Sequence, residues 1–96
     1  MSVSINILGT DYDIATTTAI YLSNRNLTSI PDSISLLVNL RILDLDDNDI
    51  EYIPDCILSL VNLQHLILSD NLITTIPDCI SLLVNCLLYT SDAADE

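Results

Sequence analysis

Apolar and polar positions alternate over short stretches of this chain, and the alternation returns at a fixed distance. Leu43 and Leu45 flank the polar Asp44, which is the period-two pattern of a strand. Leucines return at the same spacing at Leu66 and Leu68, with Ile67 between them. Farther along, Ile57, Leu60 and Val61 fall at i, i+3 and i+4, the spacing of one apolar helical face. The pattern predicts a short strand, a turn and a short helical or irregular return.

Three segments of equal length, 17–39, 40–62 and 63–85, align without a gap, and eight of their columns are identical in all three. Self-similarity at a fixed period of this length indicates a repeat fold. One such unit cannot bury its own apolar side, whereas stacked units can, with their strands paired in parallel.

The second and third segments read L-x-x-L-x-L-x-x-N-x-L followed by an isoleucine-proline step. This pattern resembles the leucine-rich repeat family, in the subgroup with a proline step, over residues 17–85. The resemblance implies an α/β solenoid with short parallel strands on its concave face and short helical or irregular returns. It also implies that the chain binds other proteins.

An asparagine follows the strand in two of the units. We expect the side chains of Asn48 and Asn71 to bond to backbone groups that the turn leaves unpaired. The first unit has Arg25 in this column, which departs from the pattern and indicates a degenerate terminal repeat. A one-residue bulge that brings Asn24 or Asn26 into the column is the alternative.

A proline followed by an aspartate closes the turn into each return. The prolines are Pro31, Pro54 and Pro77, and each fixes φ where the chain turns the same corner. We expect the following aspartates to cap the return helices. They are Asp32, Asp55 and Asp78.

The two ends lie outside the repeat. In residues 1–16, the alternation of Val3, Ile5 and Ile7 predicts one strand that covers the apolar surface and sheet edge of the first unit. Residues 86–96 resemble a translated sequencing adapter, so we expect a non-native tail and an unpaired sheet edge after the third unit. The chain is then a fragment of a longer repeat protein; a natural degenerate repeat with an acidic tail is the alternative.

The charge is strongly negative, with 14 acidic residues, two basic ones and a net charge of −12. This balance disfavours nucleic acid and anionic membranes and favours a protein partner with a basic surface. A merely solvated acidic surface is the simpler interpretation. The absence of a signal segment or a membrane-length apolar run predicts a soluble, cytoplasmic protein.

The sequence contains no complete motif for catalysis, metal binding or a cofactor. Asp44, Asp46 and Asn48 match the first positions of a calcium loop, but the later glycine and glutamate of that loop are missing. Cys56 and Cys79 share a column and are expected to be reduced thiols. We expect no cofactor, no metal, no small-molecule substrate and no enzymatic activity.

The sequence therefore predicts a non-enzymatic scaffold that binds a protein on its concave sheet face. The alternative is the targeting segment of a larger signalling enzyme or ubiquitin ligase whose catalytic domain is missing here. The predicted contact residues project from the strands or follow them, and they are Tyr21, Ile42, Asp44, Asp46, Asp47, His65, Ile67 and Asp70.

Overall fold

The computed structural model describes residues 3–76 and the backbone of Leu87–Thr90. Four short strands in these residues form one parallel sheet whose order follows the chain. The strands are β3 (Ala19–Tyr21), β4 (Ile42–Asp44), β5 (His65–Leu68) and β6 (Leu87–Thr90). Within the described part of the chain, no helix is long and apolar enough to cross a membrane.

The sheet register confirms the period of the repeat. Ala19 pairs with Ile42, and Ile42 pairs with His65, so each of these steps along the sheet is one full unit. The last step is one residue shorter than a full unit. His65 pairs with Leu87, whereas a step of one full unit would pair it with Leu88. The expectation of an unpaired edge after the third unit was wrong. Strand pairing uses backbone groups, so it can form with a native or a non-native sequence. The non-native origin of residues 86–96 therefore stays a prediction.

Alternate residues of the strands form the core, as the period-two pattern predicted. Leu43 and Leu45 are completely buried, and so are Leu66 and Leu68 one unit later. Ile20 stands beside Leu43 in the first unit and is equally buried. Stacking therefore gives each apolar column the cover that a single unit lacks.

Each of the first two units returns through a 3₁₀ helix, Asp32–Leu36 and Asp55–Ser59. Ile57 and Leu60 are buried as predicted, but Val61 is 68% exposed, so its assignment to the buried face was wrong. A 3₁₀ helix has three residues per turn, which keeps i and i+3 on one face. Val61 lies beyond the end of that helix and turns outward.

The prolines, and not the aspartates, occupy the N-cap positions of these helices. Pro31 and Pro54 are extended, with φ of −61° and −77°, and their carbonyls accept the first helical hydrogen bonds. Asp32 and Asp55 stand one residue inside and make no capping bond, so their prediction as N-caps was wrong. An N-cap residue is extended, which suits the fixed φ of proline. Pro77 and Asp78 lie outside the described residues.

The N-terminal segment is a hairpin rather than the single strand expected from its pattern. β1 (Ser4–Ile7) pairs antiparallel with β2 (Thr10–Asp13) through a turn in which Leu8 and Gly9 both have positive φ, as tight hairpin turns require. Ile7 is buried in the same core as the repeats. The hairpin forms a sheet of its own, separate from the sheet of the repeats.

The division of the chain into segments with separate roles stays a prediction. It comprises a cap at 1–16, three repeats and a tail at 86–96. The packing of Ile7 and of the partly buried Ile5, Tyr12 and Ile14 against the repeat core is consistent with a covering role for the first segment.

Candidate functional site: the open sheet face

The strands β3–β5 present one face to the core and the other outward. We call the outward surface the open sheet face; its strand residues are Ala19, Tyr21, Ile42, Asp44, His65 and Ile67. The parallel register aligns them in two rows across the strands. One row runs from Tyr21 through Asp44 to Ile67. Neighbouring strands lie about 4.8 Å apart, so the members of a row are in reach of one ligand group.

A shallow depression of ≈ 500 Å³ lies on the open sheet face. It is lined by Tyr21, Ile42, His65, Ile67 and Ser69, which come from all three units. The ring of Tyr21 is 62% exposed, so an aromatic surface remains available at the edge of this depression. A mostly apolar concavity with a few polar groups is typical of a binding surface.

Four aspartates gather where the strands end, and we call them the carboxylate cluster: Asp44, Asp46, Asp47 and Asp70. The pKa of Asp46 is raised above its usual value of 3.8, first by a hydrogen bond with the Asp44 side chain. Partial burial and repulsion from the other three carboxylates raise this pKa further. The backbone N–H of Asp46 also donates to Asp44 Oδ1 at 3.2 Å. The cluster is therefore a place where a positive group would be stabilised.

The left-handed turn after each strand gives part of the cluster a second role. Asn24, Asp47 and Asp70 share one column, and their φ values are 56°, 58° and 56°. Asparagine and aspartate tolerate this conformation better than other side chains. Asp47 and Asp70 are thus explained by the turn itself. Asp44 and Asp46 lie outside this left-handed column, and the Asp44 side chain accepts the backbone N–H of Asp46.

The side chain of Asn48 bonds to the backbone of the turn that follows β4, as was predicted from its place in the repeat. It is only 6% exposed, and its Oδ1 accepts hydrogen bonds from the backbone N–H groups of Arg25 and Leu27, each at 3.0 Å. Its Nδ2 donates to the carbonyls of Leu22, Leu45 and Asp46 at 2.9–3.1 Å. One side chain therefore ties the first unit to the second.

Asn71 repeats this arrangement one unit later. Its Oδ1 accepts from the N–H of Ile50 at 2.9 Å, and its Nδ2 donates to the carbonyl of Leu45 at 2.9 Å. Arg25 is exposed in the first unit and supplies only its backbone to Asn48. The register through Asn24 stays continuous with the second unit, so the bulge considered from the sequence does not form.

A second asparagine column makes hydrogen bonds that were not predicted from the sequence. Asn62 Nδ2 donates to the carbonyl of Val38 at 3.0 Å, and Asn39 Nδ2 donates to the carbonyl of Ala15 at 2.9 Å. Each side chain thereby joins its own unit to the preceding segment. The signal was present, because this column holds asparagine in all three segments.

The described residues offer few groups for metal binding or thiol chemistry. Residues 3–76 contain no group of three or more histidine, cysteine or acidic side chains placed to hold a metal ion. Cys56 is a half-buried free thiol whose pKa is raised by burial first and then by the nearby Asp32 carboxylate. A raised thiol pKa makes the reactive thiolate scarcer. Cys79 lies outside the described residues.

The structure thus brings the eight predicted contact residues into two adjoining groups. Four of them line the depression: Tyr21, Ile42, His65 and Ile67. The other four form the carboxylate cluster. Their contact with a partner stays a prediction.

Comparison with known proteins identifies the family. The family model described as "Leucine rich repeat" matches residues 39–86, which is half of the chain. The chain therefore belongs to the leucine-rich repeat family. Domains of this family generally mediate protein–protein interaction and are typically not catalytic. No curated protein matches the chain.

Proposed function

We propose that this chain is a non-enzymatic scaffold that binds another protein through its open sheet face. The observation that carries the proposal is the apolar depression that adjoins the carboxylate cluster. We further propose that the stacked units form a solenoid with this face on its concave side. The repeated strand and 3₁₀ return of the first two units support that architecture.

The open sheet face has the composition of a protein-recognition surface. It combines the exposed ring of Tyr21 with the side chains of Ile42 and Ile67 and with charged groups at the margin. A few anchor residues, often aromatic, supply most of the affinity in protein interfaces, and the surrounding rim is polar. The hydrogen bonds of Asn48 and Asn71 hold the turns in place, so little ordering is needed on binding.

We propose that the partner presents a basic surface. The chain carries a net charge of −12, and the cluster concentrates four of its carboxylates beside the depression. A basic partner would be steered toward this side, and its association would weaken as salt is added. We also propose that binding takes place in the cytoplasm and without a cofactor.

Charge reversal on the open sheet face tests this function. We expect Asp44→Lys with Asp46→Lys to abolish binding of a partner captured by the wild-type chain. The melting temperature should not fall, because the change removes repulsion between carboxylates that are only partly buried.

The matched control is Asp49→Lys with Asp55→Lys, which changes the net charge equally at two exposed sites off the open sheet face. The control should keep its binding. Equal binding by both double variants would contradict the proposal. A targeting role within a larger signalling enzyme would use the same face, so the comparison tests the binding step in that case as well.

A further inference from the structure

The centre of the open sheet face places one carboxylate between two different apolar surfaces. Asp44 pairs in register with Tyr21 on one side and with Ile67 on the other. Asp46 lies next to Asp44 and contacts it through a side-chain hydrogen bond. An aromatic ring, an aliphatic side chain and two carboxylates therefore converge on one spot.

We infer that this spot receives an arginine side chain of the protein partner. The guanidinium binds the Asp44 and Asp46 carboxylates, the aliphatic stem lies in the depression against Ile67, and the Tyr21 ring flanks the guanidinium plane. This inference rests on the proposed function and deepens it, because it names the group that the face recognises.

Charge complementarity selects a cation as the occupant. The chain supplies 14 acidic residues against only Arg25 and Arg41, so its own side chains cannot neutralise the carboxylates. The pKa of Asp46 is raised first by its hydrogen bond with Asp44, then by burial and by repulsion from the neighbouring carboxylates. A positive group that enters between the carboxylates relieves this repulsion. The apolar lining in turn favours a cation that carries a long aliphatic stem.

The arrangement favours arginine over lysine. A guanidinium offers several donors in one plane and can bond to two carboxylate groups at once, whereas an ammonium is a point charge. The guanidinium also stacks on aromatic faces and is more weakly hydrated. The exposed ring of Tyr21 beside Asp44 provides such a face.

The test is an NMR titration of the whole chain with three blocked tripeptide amides. They have the sequences leucine–arginine–leucine, leucine–lysine–leucine and leucine–citrulline–leucine, and citrulline is the neutral counterpart of arginine. We expect the arginine peptide to shift the backbone amide signals of Tyr21, Asp44 and Ile67. The lysine peptide should bind more weakly, and the citrulline peptide should produce no shift at these positions.

Two pairs of variants localise the effect. Tyr21→Ala should weaken the arginine peptide about two- to fivefold, the contribution of an exposed cation–π contact, while Tyr52→Ala, a similarly exposed tyrosine elsewhere, should not. Asp44→Asn with Asp46→Asn should abolish the shifts, while Asp49→Asn with Asp55→Asn should retain them. Asparagine keeps the shape of aspartate, and the spectra themselves report whether each variant is folded.

Two results would overturn the inference: shifts spread over all exposed carboxylates, or equal binding of the arginine and lysine peptides. If either occurs while charge reversal still abolishes protein capture, the arginine site fails and the proposed function stands. If the arginine peptide binds as expected but charge reversal leaves protein capture intact, the arginine site stands and the proposed function fails.

Discussion

Replacing Asn48 with alanine removes the side chain that links the first two units. The change leaves the backbone N–H groups of Arg25 and Leu27 without their acceptor and the Leu22 carbonyl without its Asn48 donor. The Leu45 and Asp46 carbonyls also lose Asn48, but they keep the Asn71 side chain and the Asn24 N–H as donors. A buried donor without a partner costs about 1–3 kcal/mol. The two donors are only partly buried, so we expect Asn48→Ala to lower the free energy of unfolding by about 2–4 kcal/mol. That loss is a large fraction of the roughly 5–15 kcal/mol typical of a small domain.

The measurement is urea denaturation followed by far-ultraviolet circular dichroism. Asn62→Ala is the matched control, because Asn62 is exposed and makes one bond, to the carbonyl of Val38; its loss should cost about 0.5–1.5 kcal/mol. Asn48→Asp keeps the acceptor but turns a carboxylate toward three carbonyls, so it should also be strongly destabilising. The reasoning is refuted if Asn48→Ala is no more destabilising than Asn62→Ala.

Three further predictions follow from burial and charge. Leu68→Ala should cost about 2–5 kcal/mol in chemical denaturation and Asp46→Ala almost nothing; equal losses would show a wrong register. Ile57→Ala should be similarly costly, whereas Val61→Ala should cost less than about 0.5 kcal/mol. The raised pKa of Asp46 stabilises the fold fully below pH 3.8, and this contribution is lost as pH rises through the folded pKa. Asp46→Asn should remove that part of the pH dependence, and an unchanged pH profile would contradict it.

The repeated columns of the sequence predicted the register and core because stacking imposes the same burial on every unit. Leu43 and Leu66 occupy equivalent positions and are both buried. Asn48 was predictable for a related reason, since a polar side chain beside a turn must find backbone partners. The exposure of Val61 was not predictable, because i and i+3 lie on one face in both α and 3₁₀ helices. The two kinds of helix differ at i+4, which is the position of Val61 relative to Ile57.

The candidate site was predictable as a face but not in its detail. Alternation with the buried leucines places Tyr21, Asp44 and Ile67 outward. The depression depends on how side chains of different size from three units meet, which no single unit specifies. The role of Asn62, whose side chain donates to the Val38 carbonyl, was missed although its column holds asparagine in all three segments.

Site-specific photo-crosslinking is the most direct test of binding through the open sheet face. Tyr21 and Tyr52 are matched probes, since they are 62% and 58% exposed and only Tyr21 lies on that face. Each is replaced in turn by p-benzoylphenylalanine, and the chain is irradiated with a protein partner captured by the wild-type chain. We predict a covalent adduct from position 21 and none from position 52. An adduct from position 52 without one from position 21 would contradict the account.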